Sequence, residues 1–208
     1  MRARVVVLAA AAILAGCTAE QPATPLPGAG SRPARSTAPA ATASSSPEAT
    51  VPGGTQLTSG AVRLTVRPED VAQRPVLESY LGFFAAYADA LRKADPRSAQ
   101  LRRHSTPEAF ADFSRGLAAN ARDGITLRGP VSLLPALHKS GSGALTVILV
   151  DCLDGTAQRF YDRSGNPTGQ AGARRPIQVE LINSPGPVRW IVGSVADGPA
   201  TACERSGT

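Results

Sequence analysis

The sequence predicts an α+β fold in which N-terminal helices pack on one face of a curved antiparallel sheet of about four strands, the whole preceded by a disordered tether. Three observations carry this. From Thr18 to about Gly60 the chain is almost entirely Ala, Pro, Ser, Thr and Gly, a composition that cannot bury enough apolar surface to offset its ordering entropy. Between Pro75 and Gly124 apolar residues recur every three or four positions, the period of an amphipathic helix. After Gly124 the period shortens to two, as in strands. Helices followed by strands argue for α+β.

The elements follow in order. Val62, Leu64 and Val66 alternate with Arg63, Thr65 and Arg67, which predicts a short lead-in strand ended by Pro68. After Pro75 the residues Val76, Leu77, Tyr80, Leu81, Phe84, Tyr87, Ala88 and Leu91 share one helical face as far as Lys93. Asp95-Pro96 breaks that helix, and a helical turn through Leu101 follows. Thr106-Pro107-Glu108 combines a capping hydroxyl, a first-turn proline and an acid. It opens a second helix, with Phe110, Phe113 and Leu117 on its apolar face, which Gly124 ends. Val131–His138, Ala144–Leu153, Pro176–Asn183 and Val188–Val195 read as four strands, with Pro135 marking the first as an edge. Ser140-Gly141-Ser142-Gly143 and Ser184-Pro185-Gly186-Pro187 read as hairpin turns. Gln158–Tyr161 adds a short strand before the turn at Asp162-Arg163-Ser164-Gly165-Asn166-Pro167.

At the N-terminus, Arg2 and Arg4 precede an apolar run from Val5 to Leu14, the layout of an export signal too short to span a bilayer. Leu14-Ala15-Gly16-Cys17 resembles the lipobox of bacterial lipoproteins. That resemblance implies cleavage after Gly16, a diacylglycerol and palmitate-bearing Cys17 as the mature N-terminus, and a position on the outer face of the cell membrane. Residues 1–16 are then signal peptide, 17–60 lipidated cysteine and linker, and 61–208 the folded domain. The linker has a root-mean-square reach of about 35 Å as a flexible coil. With Cys17 assigned to lipid, Cys152 and Cys203 remain as an even pair. In an exported chain this favours a disulfide over a metal site, since neither His104 nor His138 stands at ligand spacing.

Loss of Arg2 and Arg4 lowers the formal net charge from +6 to +4. A mild excess with few aromatics, in an exported chain, sets nucleic-acid binding aside. Arg92, Lys93, Arg97, Arg102 and Arg103 form the one basic cluster. It reads either as a patch for anionic headgroups or wall polymers or, preferably, as cations at a helix C-terminus and on a solvated face.

Two helices, the run Val147-Ile148-Leu149-Val150 closing on Asp151-Cys152-Leu153-Asp154, a turn with Asp162 and Gly165, and a last strand carrying Trp190 together resemble a known group. Behind a lipobox they look like actinobacterial lipoproteins with a nuclear-transport-factor-2-like (NTF2-like) cone domain. The resemblance covers about Pro75 to Cys203 and carries no catalytic residues over. Cone domains include cyclases, isomerases and dehydratases as well as binding and assembly modules, so fold leaves function open.

Candidate site residues follow from the need for an inward acid, base or phenol. Tyr80, Tyr87 and Trp190 are expected to line a pocket or pack the core, and Tyr161 to pack at its rim. His104 and His138 are expected in solvent. Asp154-Gly155 is a turn signal, and Arg174-Arg175 before Pro176 reads either as a grip for an anion or, preferably, as a charged strand start. Asp151 differs: it alternates with Leu149 and Leu153 on an apolar face, where a carboxylate needs partners or a raised pKa. No metal or cofactor set is present. The expected function is a membrane-anchored, non-catalytic domain that binds an envelope protein or small ligand. The alternatives are a small isomerase, cyclase or hydrolase using Asp151 or a tyrosine, and an assembly factor of an envelope transport complex.

Overall fold

The computed structural model describes residue 51 and residues 53–138 and 145–204. The signal segment 1–16, Cys17, the linker as far as residue 50, and Ala144 lie outside these residues.

Strands β1 (Thr55–Ser59) and β2 (Val62–Val66) form an antiparallel hairpin and lead, through a 3-10 turn at Pro68–Gln73, into helix α1 (Arg74–Lys93). Helices α2 (Ala99–Arg103) and α3 (Pro107–Asp123) follow. The remainder is β3 (Thr126–Arg128), β4 (Val131–Leu133), β5 (Ala136–His138), β6 (Thr146–Asp154), β7 (Arg159–Tyr161), β8 (Pro167–Ala171), β9 (Arg174–Asn183), β10 (Trp190–Asp197) and helix α4 (Thr201–Glu204). The main sheet has the order β1-β2-β4-β6-β9-β10, with β5 continuing β4 along β6, and a separate three-stranded sheet has the order β3-β7-β8.

The fold is α+β, and five expectations are corrected. The main sheet has seven strands rather than about four. It is mixed, because β2 pairs parallel to β4. The helices are not first, since the β1–β2 hairpin precedes them. Thr55–Ser59, read as linker from composition, pairs residue for residue with β2; its Leu57 packs against the core, and partnership with Val62, Leu64 and Val66 overrides a weak local signal. The strand expected over Val131–His138 is also split. Pro135 lacks an N–H and interrupts the ladder to β6, so β4 sits inside the sheet and only β5 is left at its margin.

The amphipathic periods place the core. Val76, Leu77, Tyr80, Leu81, Phe83 and Phe84 of α1 are buried against Val62, Leu64, Leu133, Leu149, Val179, Leu181 and Val192 of the sheet. Each such large side chain stabilises the fold by about 1.5–3 kcal/mol. Phe113 of α3 stands edge-on to Phe83 at 5.1 Å and to Tyr87 at 5.0 Å, tying the two long helices together. Thr106 caps α3, its hydroxyl accepting from the Ala109 N–H at 3.3 Å, and Gly124 ends the helix at φ 72°. On the opposite face of the sheet the Cys152–Cys203 disulfide, with a Cα separation of 4.8 Å, fastens α4 to β6. In the chain-entropy model, closing a loop with a separation of 51 residues stabilises the fold by about 4 kcal/mol. A four-residue helix has no stability of its own, so the bond is what retains it.

Helix α1 ends differently from α3. Its last position is Ala94 at φ 48°, with its N–H on the carbonyls of Ala90 and Leu91. A Cβ in this left-handed region costs about 1–2 kcal/mol, partly offset by the lower unfolded-state entropy of Ala relative to Gly. Ala94→Gly is expected to raise the stability by about 0.5–1 kcal/mol in urea unfolding.

Candidate functional site

Asp151 sits in the middle of β6, on the face that also carries Leu149 and Leu153. It is 1% exposed. Its partners come from three directions. Tyr80 of α1, 0% exposed, donates its hydroxyl to Oδ2 at 2.6 Å. The Leu134 N–H donates to Oδ1 at 2.8 Å, and the Cys152 N–H is a further donor to the carboxylate. The register explains the second bond. Ser132 faces Asp154 and Ala136 faces Val150, which puts Pro135 opposite Asp151. Where the proline removes a ladder donor, the carboxylate takes the displaced Leu134 N–H. A buried polar group without such partners costs several kcal/mol.

The electrostatics of the pair are opposed. Burial pushes the Asp151 pKa up to about 6, while the Tyr80 hydroxyl, the two N–H donors and the charge of Arg67 pull it down. The Tyr80 phenol is held well above its usual value by burial and by the neighbouring carboxylate. At neutral pH the tyrosine therefore donates to a mostly ionised aspartate. A carboxylate at about pH 6 could serve as a base, but this one is enclosed. Phe84 stands edge-on to Tyr80 at 4.9 Å, and Leu77, Phe83, Leu133 and Leu149 belong to the same packed cluster. A groove lined by Thr55, Leu57, Val66, Val71 and Arg74 offers about 20 Å³ and does not include Asp151. That is room for a water molecule, not a substrate.

The other candidates are dispersed. Tyr87 is partly buried between Phe83 and Phe113, two helical turns beyond Tyr80, and burial raises its pKa against the charge of Arg175. Trp190, 8% exposed, is core. Tyr161 lies on the small sheet, under the guanidinium of Arg128. His138 is exposed. His104 is not in solvent as expected. A Cβ on Gly82 would come within 2.7 Å of its ring, its Nδ1 is buried without a partner, and burial together with Arg103 holds its pKa below the usual value. The absence of a side chain at position 82 admits the ring, a pairing 22 residues apart that no local period reveals. Partial burial raises the Asp154 pKa, but Thr156 and Arg174 outweigh it and the net shift is downward. Asp154 thus caps its own turn, and Arg174 grips Asp154 at 3.0 Å rather than an external anion. In the basic cluster, Arg92 and Lys93 pair with Asp89, and Arg102 stacks on Phe110 at 4.6 Å. Among the described residues no three His, Cys, Asp or Glu side chains gather as a metal site.

No protein-family model matches the chain, and no curated protein matches it in sequence. Among solved structures it is similar to the intermembrane-space region of the chloroplast protein ARC6, with a TM-score of 0.40 and 10% identity, over 59% of this chain and 96% of that one. It is also similar to a designed NTF2 protein, with a TM-score of 0.32 and 13% identity, over 62% of this chain and 98% of that one.

The geometry makes Asp151 a fastening between α1, the β4–β5 break and β6. Because its folded pKa is raised, the stability it contributes is complete below the unfolded value near 4 and is lost as the pH climbs through about 6. Asp151→Asn keeps the acceptor for the two N–H groups and removes the titration. Relative to the Asn variant, the wild-type protein is expected to lose about 2 kcal/mol between pH 4 and pH 7. Urea unfolding at each pH measures the difference, and a flat difference would show that Asp151 does not titrate there.

Proposed function

We propose that this protein is an exported lipoprotein, anchored in the cell membrane through Cys17, whose NTF2-like domain binds an envelope partner without catalysing a reaction on it. The observation that carries the non-catalytic part of the reading is the enclosure of Asp151. Asp151, the ionisable group that most clearly breaks an apolar strand face among the described residues, is occupied by three protein donors, one of them the Tyr80 phenol. A catalytic acid or base needs a path to its substrate. The anchoring part rests on Leu14-Ala15-Gly16-Cys17 and the export layout before it. Among the described residues no helix is long and apolar enough to cross a membrane; attachment by lipid is the reading that the first residues support by their sequence. By composition the Ala/Pro/Ser/Thr-rich stretch is expected to serve as a tether between the anchor and the folded head.

Two measurements test the reading. Cys17→Ser is expected to move the protein from the membrane fraction to the medium or to leave an unprocessed precursor; fully processed, membrane-retained protein would contradict lipidation. Crosslinking in intact cells followed by capture of the lipidated protein is expected to recover a specific envelope protein, and the Asp151→Asn variant is expected to recover it equally. Turnover of a substrate that disappears in the folded Asn variant would replace binding with catalysis.

A further inference from the structure

The small sheet sets two arginines side by side. In the β3–β7 register Thr126 faces Tyr161, Leu127 faces Phe160 and Arg128 faces Arg159, so the two guanidinium-bearing chains leave the sheet on the same face. Directly opposed like charges destabilise an antiparallel pair. Of the nearby arginines, Arg122 pairs with Asp123 and Arg174 with Asp154, while Arg163 gives Nη2 to the Arg122 carbonyl at 2.9 Å. Arg128 and Arg159 are exposed, and neither forms an ion pair among the described residues. Both are nevertheless held in place. Arg128 stacks over the Tyr161 ring at 4.5 Å. Arg159 gives Nη1 to the carbonyls of Thr156 and Gln158, at 2.6 and 2.8 Å, which leaves Nε and Nη2 without a partner among the described residues. Gly129, at φ 120°, brings the end of β3 so close to the Ala157 carbonyl that a Cβ would come within 2.5 Å of it, which fixes Arg128 relative to the turn that orients Arg159.

We propose that the Arg128–Arg159 face is the docking surface for a partner-protein segment that presents two carboxylates. The inference rests on the partner-binding reading above and names the surface and the chemistry it uses. A planar guanidinium accepts a carboxylate by paired N–H donors, and side chains already held still lose little freedom on binding. The size of the patch selects the partner. Lipid surfaces are recognised by clusters of about four to eight basic residues, whereas two guanidinium groups match two carboxylates. Position agrees. Thr55, where the described chain joins the sheet, pairs with Val66 at one end of the hairpin. The small sheet joins at the other end, because β3 leads through Gly129-Pro130 into Val131, which pairs with Val62. The two ends are about 14 Å apart along β1, and the arginines lie at the end away from Thr55.

The test uses a soluble Gly/Ser peptide carrying two Glu separated by one residue, titrated into the protein and followed by NMR, with a Gln-for-Glu peptide, polyphosphate and anionic phosphatidylglycerol vesicles as comparisons. The expected result is shifts at Arg128, Arg159 and Tyr161 with the Glu peptide, weakened by salt and by at least about tenfold in Arg128→Gln/Arg159→Gln. The Arg128→Lys/Arg159→Lys variant keeps charge without the fork and is expected to fall between; it also serves if the Gln pair fails to fold. Equal affinity in the variants, or binding of vesicles or polyphosphate but not of the peptide, would overturn the proposal. Envelope crosslinking that survives both pairs of substitutions would overturn this surface while the partner-binding reading stands.

Discussion

The hydrogen bond from Tyr80 to Asp151 is the constraint around which the interior is arranged. A carboxylate on the apolar face of a central strand is costly unless its lone pairs are met, and three elements are positioned to meet them. Helix α1 must present Tyr80 at that height of the sheet. The β4–β5 strand must break at Pro135 so that the Leu134 N–H is released toward the carboxylate. Strand β6 must keep the register in which Asp151 faces inward, because a slip of one residue would exchange it with Cys152 and move the disulfide to the wrong face. One side chain thus couples helix placement, strand register and the position of α4.

This coupling has a functional consequence. On the binding reading proposed above, a polar group that enforces a unique packing is spent on the fold, and each of its carboxylate oxygens already accepts a hydrogen bond from the protein. The raised pKa of Asp151 has burial as its largest cause, and strongly shifted carboxylates belong to structural networks as well as to active sites. Exposed charge without an ion pair among the described residues is found instead on the small sheet, at Arg128 and Arg159.

Much of this was legible in the chain. The apolar period of α1, the Thr106 and Gly124 caps of α3, the strands β6, β9 and β10, and the pairing of Cys152 with Cys203 all follow from local pattern or cysteine count. Asp151 stood out because it interrupts Leu149 and Leu153. What was not legible depends on contacts distant in sequence. Strand β1 is polar and Gly-flanked, and only its ladder to β2 makes it a strand. β3 is three residues long and acquires its place from β7. Pro135 read as an edge signal, whereas its effect is to free a backbone donor for a side chain. His104 looked solvated among arginines, and only the approach of Gly82 buries it. The tyrosine that meets Asp151 lies 71 residues away, beyond the reach of any periodicity.

The most direct measurement of the central claim is a double-mutant cycle between Tyr80→Phe and Asp151→Asn, read by urea unfolding at pH 7. A hydrogen bond to a charged, buried acceptor is expected to appear as a coupling of about 1.5–3 kcal/mol. Two additive substitutions, with coupling near zero, would contradict the view that this bond holds helix and sheet in register.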